Sequence, residues 1–282
     1  MCMKRVSFSR LVFLCVGLMF LIVSCKKEEK KDNNAEPQQE TVDEVAASMT
    51  ANAVVNSVLN IMIANGSSES ENESYSASDR KYGCATVKVT PGDLVSFPKT
   101  VTVDFGTGCA VKGYKGKGIV NFALSQWVFL PGAEIKPGFD NFYVNGYKVE
   151  GDYVITTISA DNGLQYKVDI KDGIITFPNG KVYHLKGTQF YEQTKGEKTV
   201  FAVHDDMYSI TGDIAINSDK GVLNGEIVEP LISKISCGDI TDGNIEFKTD
   251  TTKVILDFGN GECDKKGTVQ IGTSSFPVDF PF

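Results

Sequence analysis

Tyr208-Ser-Ile-Thr-Gly-Asp-Ile-Ala-Ile216 sets Tyr208, Ile210, Gly212, Ile214 and Ile216 on one side of an extended chain and Ser209, Thr211 and Asp213 on the other. Leu164-Gln-Tyr-Lys-Val-Asp-Ile170 repeats the alternation, and Ala85, Val87 and Val89 do the same against Thr86 and Lys88. A period of two belongs to antiparallel strands with one face buried and the other wet. Between such runs fall Asn145-Gly146, Asn162-Gly163, Asp172-Gly173, Asn179-Gly180 and Asn224-Gly225, which suit tight hairpin turns because both residues can take positive φ. No helical pattern of useful length follows residue 80. The expectation over residues 81–282 is therefore an all-β domain, an antiparallel meander of sandwich-like build.

The two ends of that domain are related. Val101-Thr-Val-Asp-Phe-Gly-Thr-Gly108 matches Val254-Ile-Leu-Asp-Phe-Gly-Asn-Gly261, and Cys84 and Cys237 stand at the same offset. After a one-residue insertion, Cys109-Ala-Val-Lys-Gly113 matches Cys263-Asp-Lys-Lys-Gly267. Landmarks in the same order argue for duplicated β units at 84–129 and 237–282. Four cysteines outside the N-terminal region permit three pairings. Only Cys84–Cys109 with Cys237–Cys263 treats both copies alike, and the sequence lacks the C-x-x-C spacing of zinc or redox sites. Asp104-Phe-Gly and Asp257-Phe-Gly have no kinase-like loop, lysine or H-R-D segment beside them, so they read as structural turns with Asp outward and Phe105 inward.

Upstream, Thr41-Val42-Asp43-Glu44 fits a capping box opening an amphipathic helix over 41–66, with Val45, Met49, Val55, Leu59 and Met62 on its apolar face and Asn65-Gly66 as its stop. That face is expected to pack on the β domain. Residues 67–80 are Ser- and Glu-rich and read as a linker, and 25–40 read as a solvated tether.

Residues 1–24 have the form of a signal peptide: Lys4, Arg5 and Arg10 precede an apolar run at 11–23, shorter than the ~20 residues a membrane span needs. No other stretch is expected to reach spanning length. Ile22-Val23-Ser24-Cys25 resembles a bacterial lipobox, which implies cleavage before Cys25 and lipid on its thiol, with the acyl chains together forming a stable anchor. Cleavage takes the net charge from −8 to −11, so the hold on a membrane would come from that lipid and not from basic side chains. Lys27-Glu28-Glu29 resembles the lipoprotein export signal of Bacteroidota, which directs proteins to the cell surface.

The whole arrangement resembles a group of uncharacterised Bacteroidota envelope lipoproteins with a lipobox, a short helix, a linker and a β domain. The resemblance rests on Phe97-Pro-Lys-Thr-Val-Thr-Val-Asp-Phe-Gly-Thr-Gly-Cys109, on Phe139-Asp-Asn-Phe-Tyr-Val-Asn-Gly-Tyr-Lys-Val-Glu-Gly151 and on the closing Cys-containing copy. Lys112-Gly-Tyr-Lys-Gly116 stands where the group continues with Asp-Gly-Arg. The resemblance implies an outer-membrane address and this architecture, and no activity.

Composition narrows the functional classes. With 28 basic and 36 acidic residues the chain lacks the surplus of Lys and Arg that nucleic-acid binding requires, and two histidines leave little for a His-based metal or catalytic centre. His204-Asp205-Asp206 is adjacent on the chain rather than on one face, and Asp205-Asp206 before Met207 reads as a hairpin loop. Asn260, Glu262 and Asp264 resemble a calcium loop only loosely, and the first copy does not preserve them. No catalytic residue, metal or cofactor is assigned. Trp127, Phe129, Phe139, Phe142, Tyr143, Tyr147 and Tyr153 form an aromatic run. Most of it suits a core, and Trp127, Tyr143 and Tyr147 are the candidates for stacking on a ligand such as a sugar. The expected function is that of a surface-facing outer-membrane lipoprotein acting as a non-catalytic binding module for a glycan or another surface protein. The alternatives are a periplasm-facing structural lipoprotein and a carbohydrate-active hydrolase.

Overall fold

The structure, a computed structural model, describes residues 35–67, 79–93, 95–111, 113–161, 163–196, 205–248 and 253–281. The stretch expected to be a signal peptide, together with Cys25, Lys27, Glu28, Glu29 and His204, lies outside these residues.

Among the described residues one helix, α1 (Ala35–Ser67), precedes fifteen strands. The first half of the sheet is β1 (Asp79–Tyr82), β2 (Ala85–Thr90), β3 (Lys99–Asp104), β4 (Cys109–Val111), β5 (Tyr114–Leu124), β6 (Glu134–Val144), β7 (Tyr147–Ser159) and β8 (Gln165–Thr176). The second is β9 (Val182–Lys195), β10 (Met207–Ser218), β11 (Gly221–Lys234), β12 (Asp239–Lys248), β13 (Lys253–Asn260), β14 (Lys266–Ile271) and β15 (Ser274–Asp279). They form a single antiparallel meander in chain order, with only the short β4 set off the path against β5. The expected alternation holds: Tyr166, Val168 and Ile170 are buried along β8, and Tyr208, Ile210, Ile214 and Ile216 along β10.

Two turn expectations fail. Asn145-Gly146 makes the β6–β7 turn, with φ of 51° and 90°, and Asn179-Gly180 lies between β8 and β9. Asp172-Gly173 and Asn224-Gly225 instead lie within β8 and β11. There the glycine gives room to a ring: a Cβ on Gly173 would stand 2.7 Å from the Tyr153 hydroxyl, and one on Gly225 would stand 2.8 Å from the Phe247 ring. Glycine inside a strand often marks such a close approach. Asn162 lies outside the described residues.

Bulges bend the long strands. Register shifts occur between Lys117 and Ile119, Asp152 and Tyr153, Ile210 and Asp213, and Asp242 and Asn244. At Gly151 φ is 119° and a Cβ would fall 2.0 Å from the Asp172 carbonyl oxygen. Bulges raise local twist and curl a sheet, and this sheet curls round α1, which touches β3, β5, β6, β7, β9, β14 and β15.

The helix departs from the expected 41–66 span. It starts at Ala35, so residues 35–40 are helical rather than tether and Thr41 is not an N-cap. Pro37 falls in the first turn, where a missing N–H costs no helical bond. The β10–β11 turn secures this start: Lys220 Nζ pairs with Glu40, and Ser218 Oγ donates to Glu44 at 2.6 Å. Packing on the β domain is as expected, but burial extends beyond one stripe. From Ser48 to Gly66 every position is buried except Ala53, Ser57 and Asn60. Val54, Val55, Val58, Leu59, Ile61, Met62 and Ile63 point to more than one side, the pattern of a helix enclosed by its own protein. Gln38–Gly66 is also long and apolar enough to cross a membrane, contrary to the expectation, yet here it is enclosed by strands.

The duplication is visible in three dimensions. Cys84–Cys109 and Cys237–Cys263 are both bonded, each with Cα atoms 5.8 Å apart, tying the turn before a hairpin to the turn after it. Closing loops of this length contributes about 3 kcal/mol per bridge on the chain-entropy estimate. Asp104 Oδ1 accepts from Gly106 N at 2.7 Å and Asp257 Oδ1 from Gly259 N at 2.8 Å, the same turn in both copies. Phe105 and Phe258 are buried as the strand phase requires.

Candidate functional site

Ala53, Ser57, Asn60 and Ala64 recur at i, i+4, i+7 and i+11, one face of α1. Small side chains there leave space, and the face floors a cavity of about 500 Å3. Tyr82 and Tyr114 bound it on the side of the first copy, and Tyr208, Ser233, Ile235 and Ile240 on the side of β10–β12. Phe258 and Phe280, stacked with centroids 5.5 Å apart, close the apolar wall. The cavity thus lies where the early and late parts of the meander face each other across the helix. Strands β1 and β15 are the two ends of the sheet and do not pair with each other.

A buried polar network backs the walls. Asp206 lies in the β9–β10 connection, as the hairpin-loop reading expects, and yet is only 3% exposed. Its Oδ1 accepts from Gln193 Nε2 at 2.9 Å and its Oδ2 from the Tyr208 hydroxyl at 3.0 Å. Burial first, and the Asp206 charge second, hold the Tyr208 hydroxyl well above its ordinary pKa. The Tyr191 hydroxyl donates to Asn56 Oδ1 and lies 2.9 Å from Gln189 Oε1, while Gln189 Nε2 donates to Asn52 Oδ1 at 3.4 Å. Tyr166 stacks on Tyr191 at 4.8 Å and meets Tyr208 edge-on at 5.7 Å. On the opposite wall the Tyr82 and Tyr114 hydroxyls bond to each other, and burial pushes both pKa values up.

The aromatic candidates do not converge on this cavity or on one another. Phe139, Phe142 and Tyr153 pack together with Phe105. Trp127 meets Phe97 edge-on at 5.2 Å and stacks near Phe129 at 6.1 Å, with Lys99 Nζ 5.7 Å from its ring. Lys99 itself is buried and donates to the Pro91 and Asp93 carbonyls beneath the half-buried Phe97 and Trp127 rings, a cation–π corner at the surface. Tyr143 is half-buried under Lys117 Nζ at 5.0 Å, and Tyr147 packs edge-on against Phe177 at 4.8 Å.

Sequence reasoning missed Asp206, Tyr82 and Tyr114, which become neighbours of the cavity only through the fold. One signal was present: Asn52, Asn56 and Asn60 repeat every four residues inside an apolar helix. Among the described residues no group of three or more His, Cys, Asp or Glu is placed to hold a metal ion. Asp264, from the loose calcium-loop pattern, accepts from Lys266 N at 3.1 Å within its own turn.

The chain matches no protein-family model, no curated protein and no solved structure with which it was compared. The fold and cavity alone therefore define the class: an antiparallel meander rolled round a central helix, with a small-molecule-sized pocket at its seam.

Proposed function

We propose that this chain is an outer-membrane lipoprotein, anchored through Cys25 and displayed on the cell surface by Lys27, Glu28 and Glu29, which acts as a non-catalytic binding module. The cavity carries the binding part of this reading. Its volume of about 500 Å3 lies within the usual range for small-molecule sites, and it combines apolar walls with a few convergent polar groups. Hydrolysis of a glycosidic bond needs two carboxylates flanking the substrate. Among the described residues lining the cavity the carboxylate is that of Asp206, and both its oxygens accept hydrogen bonds from side chains.

Binding is tested by melting the purified chain with and without extract of its own cell envelope. A ligand at ~100 times its Kd stabilises the fold by about 2.7 kcal/mol, a rise of several degrees. Ala53→Trp, which fills the cavity from the helix, is expected to abolish that rise. A rise that persists unchanged in the variant would remove the cavity as the site. Location is tested by proteinase K on intact cells, with a periplasmic protein as control. Rapid loss of the β domain is expected, and replacement of Lys27, Glu28 and Glu29 by Ala should restore protection. Protection of the unaltered chain until the envelope is opened would refute surface display.

A further inference from the structure

We infer that the cavity takes one acyl chain of an amphiphile with an anionic head, the chain lying along α1 and the head at the mouth beside Lys265. The inference rests on the binding-module reading and names its ligand class.

The first argument is shape. Helix residues from Met49 to Ala64 line the cavity, a span of about 22 Å at the helical rise. A cavity of about 500 Å3 that follows the helix over this length has room for an extended methylene chain.

The second is chemistry. Met49, Ala53, Ile63, Ala64, Phe258 and Phe280 supply walls that a methylene chain can dry, and each buried CH2 adds about 0.8 kcal/mol. A glycan would bring a hydroxyl on nearly every carbon, and those set against the apolar stretch, away from Ser57, Asn60, Ser233 and Ser236, would lack partners at a cost for each. The Tyr82 and Tyr114 hydroxyls, which a sugar could otherwise use, are bonded to each other. The third is the mouth. Gly113, Ser236, Gly238 and Lys265 line the cavity and are exposed, so they mark its opening. Lys265 is the cationic side chain among the described lining residues, and it fits a carboxylate or phosphate head.

The test is photo-crosslinking of the full chain in its own membranes. One probe is hexadecanoic acid with a diazirine on its chain, and the other is the lysophosphatidylglycerol carrying the same chain. Adducts are expected on peptides of α1 between residues 49 and 64 or on the segments bearing Phe258 and Phe280. The probe that labels more strongly identifies the source as free fatty acid or lysolipid. Ala53→Trp should cut labelling at least tenfold and Lys265→Glu several-fold, while Phe190→Ala, on the exposed outer face, should leave it unchanged. Should Ala53→Trp fail to fold, Ser57→Phe fills the same face and replaces it. Labelling confined to outer-surface peptides, or equal labelling in the filled variant, overturns the inference. A melting rise with envelope extract that Ala53→Trp abolishes, without acyl labelling, keeps the binding reading and overturns only the ligand class. Absence of both overturns both.

Discussion

Raising the pH from about 10 to about 12 is expected to unfold this protein in one cooperative step, because its buried tyrosines must stay neutral to stay buried. Burial is the first cause of the raised pKa at Tyr114, Tyr166, Tyr191 and Tyr208. Asp206 adds to it at Tyr208, and neighbouring charges add to it at Tyr166. Below about pH 10 these hydroxyls are protonated in both folded and unfolded chains, so the stability they carry is fully present. Above it the unfolded chain releases protons that the folded chain retains, and stability falls. Each such tyrosine costs about 1.4 kcal/mol per pH unit, so four cost on the order of 5 kcal/mol per unit. A domain of ordinary stability, about 5–15 kcal/mol, is exhausted within one to three units. Circular dichroism and tyrosinate absorbance should therefore change together. Tyrosinate absorbance equal to that of all ten tyrosines near pH 10, with the β-sheet signal intact, would show that these hydroxyls reach water.

Gly151→Ala should be the most damaging single-methyl change in the sheet, and Gly180→Ala is its control. Both positions have positive φ, 119° and 85°, where an L side chain is disfavoured by roughly 1–3 kcal/mol. At Gly180 nothing lies within 4 Å of the added methyl, so the backbone term stands alone. At Gly151 the methyl would lie 2.0 Å from the Asp172 carbonyl oxygen, and the β7–β8 bulge must open to admit it. Chemical denaturation is expected to show a loss of about 1 kcal/mol for Gly180→Ala. Gly151→Ala should lose at least a further 2 kcal/mol, or be insoluble. Equal losses would mean that the close approach of β7 and β8 is not part of the stable fold.

The β domain was legible because its determinants are local. Alternation in β8 and β10 survives any tertiary arrangement, and so does the Asx turn after Asp104 and Asp257. The cysteine pairing was legible for a different reason: the duplication left one arrangement that serves both copies. What eluded the sequence depends on neighbours distant along the chain. Gly173 and Gly225 look like turn residues until Tyr153 and Phe247 are seen to lie over them. The expected stripe held Val45, Met49, Val55, Leu59 and Met62, and only the curled sheet buries Val54, Val58 and Ile61 as well. Asp206 reads as a polar loop residue because its partners, Gln193 and Tyr208, flank a segment that the alternation does not cover.

The order of the meander has a consequence for how the molecule is made. Nearly every strand pairs with the one synthesised just before it, an arrangement of short-range contacts that lets a sheet assemble stepwise as a chain is delivered. The helix obeys the opposite schedule. Among the described residues it precedes every strand along the chain, yet it rests on β14 and β15, the last two strands of the sheet, as well as on β3 and β5. Until the final hairpin arrives, its greasy flank faces outward, where it can adhere to another unfinished chain. Delivery of this protein therefore has a vulnerable interval spanning almost the entire sheet, ended by strands β14 and β15, and a holding chaperone would serve best during that interval.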